Sequence, residues 1–266
     1  MNAHFSFCDD EKLVCARVAF AANQRIWRER SRFHSFYYGL HVRGIPLREQ
    51  GCVFQHPPRL ESRFERWRPA PKGGWREEGP AEDLPGLLYD LGAHLIDQAV
   101  HLLGPVDRVF ASVRRVRPGV MTDDDTQVIL EHVSGAVSIL SVSSASAFTG
   151  PRLRLLGTGG GLWIDSLDTQ EDALRAGHRP GDPDWGLEAD DARVITGTDA
   201  PRSLERARGD WPSYYRGVVA SVNGDGPAPV DARDVVANLR IIEAAHESGR
   251  LGVAVTLDPP AGHVSR

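Results

Sequence analysis

Lysine is nearly absent from this chain, with Lys12 and Lys72 the only two among 31 Lys and Arg side chains. Nucleic-acid binding rests on clustered cations that displace phosphate counterions. The formal charge is −5, and the Arg63–Arg68 stretch (RFERWR) is interleaved with acid and aromatics, so no nucleic-acid partner is expected. Cysteine is scarce too. Cys8, Cys15 and Cys52 are odd in number and lack metal-ligand spacing, which argues against both a disulfide framework and a zinc site. Long apolar runs are missing, since segments such as Val128–Leu130 fall far short of the ~20 residues that span a bilayer, and no membrane partner is expected. The opening MNAHFSFCDDEKLVCARVAF places acid where a signal peptide needs an apolar stretch, which points to the cytoplasm.

What remains is a chain of 266 residues, 41% hydrophobic and 25% charged, long enough for one large domain or two small ones with a true core. Residues 1–58 hold every cysteine and many aromatics, including Phe33, Phe36, Tyr37, Tyr38 and Phe54, without a sustained period. They read as an irregular N-terminal segment, and their composition fits an out-of-frame or misassigned start. Regular periodicity begins at residue 59 and sets a domain over 59–258, with a short tail at 259–266.

Alternation predicts a strand over Leu60–Trp67, a helix over Leu88–Leu103 stopped by Pro105, and a strand over Arg108–Val116. Gln127–Val133 and Ala136–Ser143 read as a hairpin through Ser134-Gly135, and Arg152–Leu156 and Leu162–Asp165 as another through Gly157–Gly161. Apolar spacing at Tyr215, Val218, Val219 and Val222 predicts an amphipathic helix over Trp211–Asn223. Asp231 is the expected N-cap of a second helix, with Val235, Leu239, Ile242 and Ala245 inward and Gly249 as its stop. Leu251–Leu257 reads as a closing strand. Hairpins outnumber strand–helix–strand units, so an α+β fold is expected: a large, mostly antiparallel open β-sheet with helices on one face.

Chemistry concentrates on the first helix. Asp90, His94, Asp97 and His101 follow at offsets of four, three and four, which places them on one helical stripe beside the apolar Leu91, Leu95, Ala99 and Leu102. A carboxylate one turn from an imidazole can orient the ring and raise its pKa, as a general acid/base requires. Spacing alone leaves two alternatives open. The four groups can satisfy one another as a polar seam, or Asp90, His94 and His101 can hold a divalent metal for hydrolysis.

The run Gly86–Gln98 (GLLYDLGAHLIDQ), followed by Leu103-Gly104-Pro105 and a strand, resembles the hallmark of the Gfo/Idh/MocA oxidoreductases, the family of glucose–fructose oxidoreductase and inositol dehydrogenase. The likeness extends through Glu61–Pro69 (ESRFERWRP), Leu155–Gly160, Leu167–Leu174 and Ile242–Gly252, in the same order. The resemblance implies the substrate-side C-terminal domain of that family, acting on a sugar, cyclitol or polyol hydroxyl with NAD or NADP. It implies His94 as the acid/base imidazole and Asp90 as a substrate-binding or orienting carboxylate. Asp97 would support them, and Tyr89, Trp75, Tyr214 and Tyr215 stand where substrate contacts or aromatic packing are both expected. A homo-oligomer formed through the sheet face is implied as well.

Family members begin with a Rossmann domain carrying a glycine-rich turn and a catalytic lysine in Glu-Lys-Pro. Neither pattern occurs here, so no complete Rossmann domain is expected and no cofactor-binding residue is assigned. Gly157–Gly161 lies between two strands and is expected to be a hairpin turn, because a phosphate cradle needs a helix directly after it. The chain alone is accordingly expected neither to bind cofactor tightly nor to turn over. A non-catalytic binding or assembly module is the alternative.

Overall fold

A computed structural model describes residues 59–79 and 85–258, except for the side chains of Trp75 and Arg76. The expected irregular segment 1–58 with its three cysteines, and the tail 259–266, lie outside the described residues. Nine strands form one sheet: β1 Arg59–Glu65, β2 Val106–Arg114, β3 Asp125–His132, β4 Val137–Ser143, β5 Leu153–Gly157, β6 Gly160–Ile164, β7 Ala192–Thr196, β8 Arg202–Leu204 and β9 Val255–Thr256. Their order is β8-β7-β6-β5-β1-β4-β3-β2-β9.

The sheet is antiparallel except where β1 lies parallel to β4, with Ser62 opposite Leu140. That exception follows from the connections. β1 leads through a helix to β2, a crossover that keeps both strands in the same direction; the long loop 115–124 then turns the chain into β3 and the short turn 133–136 into β4, until β4 meets β1. The open antiparallel sheet with helices on one face is the architecture expected from the hairpins.

Five α-helices accompany the sheet among the described residues: α1 Trp75–Glu78, α2 Ala93–Leu103, α3 Gln170–Arg175, α4 Trp211–Val222 and α5 Ala232–Leu251. The core lies between the sheet and the pair α2 and α5. Leu95, Ile96, Ala99 and Leu103 of α2 and Ile241, Ile242 and Ala245 of α5 pack with Leu60, Val109, Val128, Leu130 and Leu140 of the strands. Burying each of these Leu, Ile and Val side chains contributes about 1.5–3 kcal/mol.

Four sequence expectations need correction. Helix α5 runs through Gly249 and stops at Gly252, whose φ of +71° gives the left-handed cap. A Cβ on Gly249 would sit 3.0 Å from Val113, so that glycine permits close helix–sheet approach and is no stop. The inward face of α5 is Ile241, Ile242, Ala244, Ala245 and Ser248, whereas Val235 and Leu239 are exposed. The apolar stripe of α4 likewise stays open, with Tyr215, Val219 and Val222 exposed and Gly217 alone buried. Strand β9 is also shorter than expected. The short elements α3, β7 and β8 escaped prediction because they span six residues or fewer, too few for a period to show. No helix among the described residues is long and apolar enough to cross a membrane.

Candidate active site at the start of the crossover helix

The segment Leu88–Gly92 forms one wide π-helical turn, in which the amide of Ala93 donates to the carbonyl of Leu88 five residues back. Such turns recur at functional sites because they shift side chains out of plain helical register. Here the shift acts on Asp90, which sits in the wide turn just before α2.

The start of this helix is held by Asp123, from the loop between β2 and β3. Its Oδ2 accepts from the amide of Leu88 at 2.8 Å and from the Thr126 hydroxyl at 3.1 Å, and its carbonyl accepts from the amide of Leu87 at 3.0 Å. Gly86, at φ +110°, admits that carboxylate, since a Cβ there would lie 2.0 Å from Asp123 Oδ1. The signal for Asp123 in the sequence was the acidic run Asp123-Asp124-Asp125, which carried no period and was passed over.

Asp90, His94, Asp97 and His101 are all half-buried, at the rim of the core as their stripe predicts. The pKa of His94 falls below its ordinary value. Burial is the main cause, Arg152 acts in the same direction, and Asp90 and Asp97 oppose it. This reverses the expectation of a raised pKa, because loss of solvation outweighs the two carboxylates. A neutral imidazole at neutral pH is a ready proton acceptor. Asp97 is fixed from the facing helix, accepting from Asn238 Nδ2 of α5 at 2.7 Å. The buried Arg152 donates to Ser62 Oγ at 2.7 Å, and Ser62 donates to Gln98 at 2.6 Å, so the cation beside His94 is anchored to β1 and α2.

The aromatic candidates diverge. Tyr89 stacks on His246 of α5, with ring centroids 5.1 Å apart and planes 26° from parallel. Burial, then Glu243 and Asp123, push its phenol above the ordinary value. Burial likewise raises Asp123 and lowers His246. Tyr89 thus serves the joint between the two helices. Tyr215 is 60% exposed and meets Tyr214 edge-to-face at 5.6 Å. The Trp75 side chain lies outside the described residues.

A cavity of about 170 Å³ opens beside Asp90, where the parallel strands β1 and β4 end, with Arg66, Arg68, Lys72, Arg117 and Asp123 also in its wall. Arg117 closes its floor, donating to Asp124 at 2.8 Å, to Glu77 at 2.8 Å and to the carbonyl of Arg68 at 3.0 Å. Sequence reasoning missed Arg117 and Arg152, whose partners lie far away along the chain. Among the described residues no three His, Cys, Asp or Glu side chains come together as a metal site. The Gly157–Gly161 loop is the β5–β6 hairpin turn.

The family model described as "Oxidoreductase family, C-terminal alpha/beta domain", of the Gfo/Idh/MocA group, matches residues 57–257. Among curated proteins, the scyllo-inositol 2-dehydrogenase (NADP(+)) IolW of Bacillus subtilis is 35% identical over 193 residues, covering 70% of this chain and 53% of the relative. The uncharacterized oxidoreductase YdgJ of Escherichia coli is 32% identical over 195 residues, covering 72% and 55%. Among solved structures, the oxidoreductase yvaA of Bacillus subtilis superposes with a TM-score of 0.69 at 33% identity, covering 75% of this chain and 58% of that one. The chain therefore spans about half the length of the curated relatives it matches.

Proposed function

The chain belongs to the Gfo/Idh/MocA oxidoreductase family, and on that premise we propose that it carries the substrate-side half of a dehydrogenase site for a sugar, cyclitol or polyol hydroxyl. The observation that carries this reading is the half-buried His94, its pKa lowered by burial, between Asp90 and Asp97 at the start of a helix whose wide turn opens on a cavity. His94 accepts the hydroxyl proton as the carbinol is oxidised. Asp90 binds or orients the substrate hydroxyls, and Asp97, held by Asn238, supports the pair.

NAD or NADP, when bound, supplies the hydride acceptor, in line with the NADP(+) named for IolW. The described residues do not fit the dinucleotide's phosphates. Their glycine-rich loop joins two antiparallel strands, whereas a phosphate cradle needs a helix N-terminus. We assign no cofactor contact to them, and we expect NADPH to bind the 266-residue chain more weakly than micromolar. Fluorescence titration showing micromolar binding would overturn that expectation.

The polyol reading is tested with isotope-labelled histidine. Adding scyllo-inositol or related polyols is expected to move the His94 resonances and to have no such effect in Asp90→Ala. A full polyol panel that leaves His94 unmoved defeats the reading.

The face of the sheet opposite α2 and α5 supports self-association as a second role. Phe110 and Ile129 are 43% and 37% exposed there, on adjacent strands in register, and apolar surface of this kind favours a partner. Light scattering is expected to report an oligomer that Phe110→Asp weakens, and a strict monomer would refute it.

A further inference from the structure

We propose that helix α5 splints the candidate site, with His246 and Asn238 as positioning residues that hold Tyr89 and Asp97 and so fix Asp90 against His94. This rests on the polyol reading above, in which Asp90 and His94 work as a pair.

The pair straddles a change of helix type. Asp90 belongs to the wide turn Leu88–Gly92, and His94 to α2, which begins at Ala93. A π-helical turn steps its side chains round at a different angle from the α-helix that follows. The direction of Asp90 relative to His94 therefore depends on how the two pieces join at Gly92. Asp123 grips the chain ahead of that junction, at Leu88, and not across it.

Helix α5 grips both sides. Asn238, Ile242 and His246 recur at every fourth position, which lines them up along one ridge of the helix. His246 stacks on Tyr89, before the junction, with ring centroids 5.1 Å apart and planes 26° from parallel. Asn238 Nδ2 donates to Asp97, beyond the junction, at 2.7 Å. Ile242 lies between them on the ridge and is buried in the core. The later residue of α5 meets the earlier residue of the site, so the two segments run antiparallel. A single helix thus spans the junction, with Asp90 and His94 between its two contacts.

What His246 supplies is its flat face. Its Nε2 is shielded from solvent and has no hydrogen-bond partner among the described residues, so stacking holds the ring to Tyr89. The charges that act on His94 are those of Asp90, Asp97 and Arg152. Neither Asn238 nor His246 is among them, and a change at either reaches His94 by moving the groups they hold.

The test reads the titration midpoint of the His94 imidazole in the full chain carrying isotope-labelled histidine. Asn238→Ala removes the donor and His246→Leu the flat face. Both positions are only half-buried, and Ala and Leu are stronger helix formers than Asn and His, so both variants are expected to fold. A neighbouring carboxylate moves such a midpoint by about a unit or more, so partial displacement of Asp97 or Asp90 is expected to shift it by about half a unit. Ile242→Val loosens the same ridge without breaking either contact and should leave His94 unmoved. His246→Phe restores the flat face and should return the native midpoint. Tyr89→Leu should reproduce the His246→Leu shift, and the double variant should add nothing to either.

An unmoved midpoint in Asn238→Ala or His246→Leu overturns the proposal. So does an equal shift in Ile242→Val, a His246→Phe no nearer the native value than His246→Leu, or additive shifts in the double variant. These readings need no ligand. A polyol panel that leaves native His94 unmoved defeats the polyol reading alone, and the two failures are told apart.

Discussion

The carboxylate of Asp123 accepts the amide hydrogen of Leu88 at 2.8 Å, tying the β2–β3 loop to the first turn of the helix that carries Asp90 and His94. The placement of the candidate catalytic pair thus depends on a residue some thirty positions away along the chain. Asp123→Ala removes the cap and is expected to cost about 0.5–2 kcal/mol. Gly86→Ala is expected to cost at least as much, since it strains a φ of +110° and drives a methyl against the same carboxylate. Urea denaturation of the two variants measures both, and an unchanged midpoint for either would show that the cap contributes nothing.

Packing distinguishes the two amphipathic stripes. Leu95 is fully buried between α2 and the sheet, so Leu95→Ala is expected to destabilise by about 2–5 kcal/mol. Val222 is 81% exposed on α4, and Val222→Ala should stay within about 0.5 kcal/mol. Equal losses would place the α4 stripe inside a core after all.

The electrostatics of His94 are directly measurable. Its imidazole is expected to titrate below the ordinary value of 6.5 in proton resonance spectra. Arg152→Gln removes a nearby positive charge and should raise that value, and Asp90→Asn removes a negative one and should lower it further. Shifts of the opposite sign would contradict the arrangement of charges around the ring.

A second buried network sets a pH dependence away from the site. Glu188 and Asp190 share Arg206, each at 2.9 Å, with the Glu188 and Arg206 side chains only 4% and 1% exposed. Burial, with Asp168 and Asp190 adding to it, pushes Glu188 up from 4.5 to about 7 against the pull of Arg206. A carboxyl raised in the folded state contributes stability that is complete below its unfolded value and is lost as pH rises through the folded one. Between about pH 4.5 and 7, Glu188→Gln should therefore gain stability relative to the native chain, by at most about 3 kcal/mol. Denaturant midpoints across that range check the sign, and a constant difference would refute the shift.

The sequence by itself determined what depends on near neighbours. The β3–β4 and β5–β6 hairpins, the Asp231 cap of α5, and the rim position of Asp90, His94, Asp97 and His101 all follow from periods of two or 3.6 residues and from turn chemistry. Asp90, His94 and Asp97 also lie in the run that carried the family resemblance. Tertiary structure alone decided the parallel pairing of β1 with β4, the capping by Asp123, the floor built by Arg117 and the end of α5 at Gly252. It also set the direction of the His94 shift. Each of these rests on contacts between segments far apart in the chain, and the last on desolvation. Burial strips water from an imidazole whichever residues stand one turn away, and a sequence pattern can place carboxylates beside the ring without revealing how much solvent is left around it.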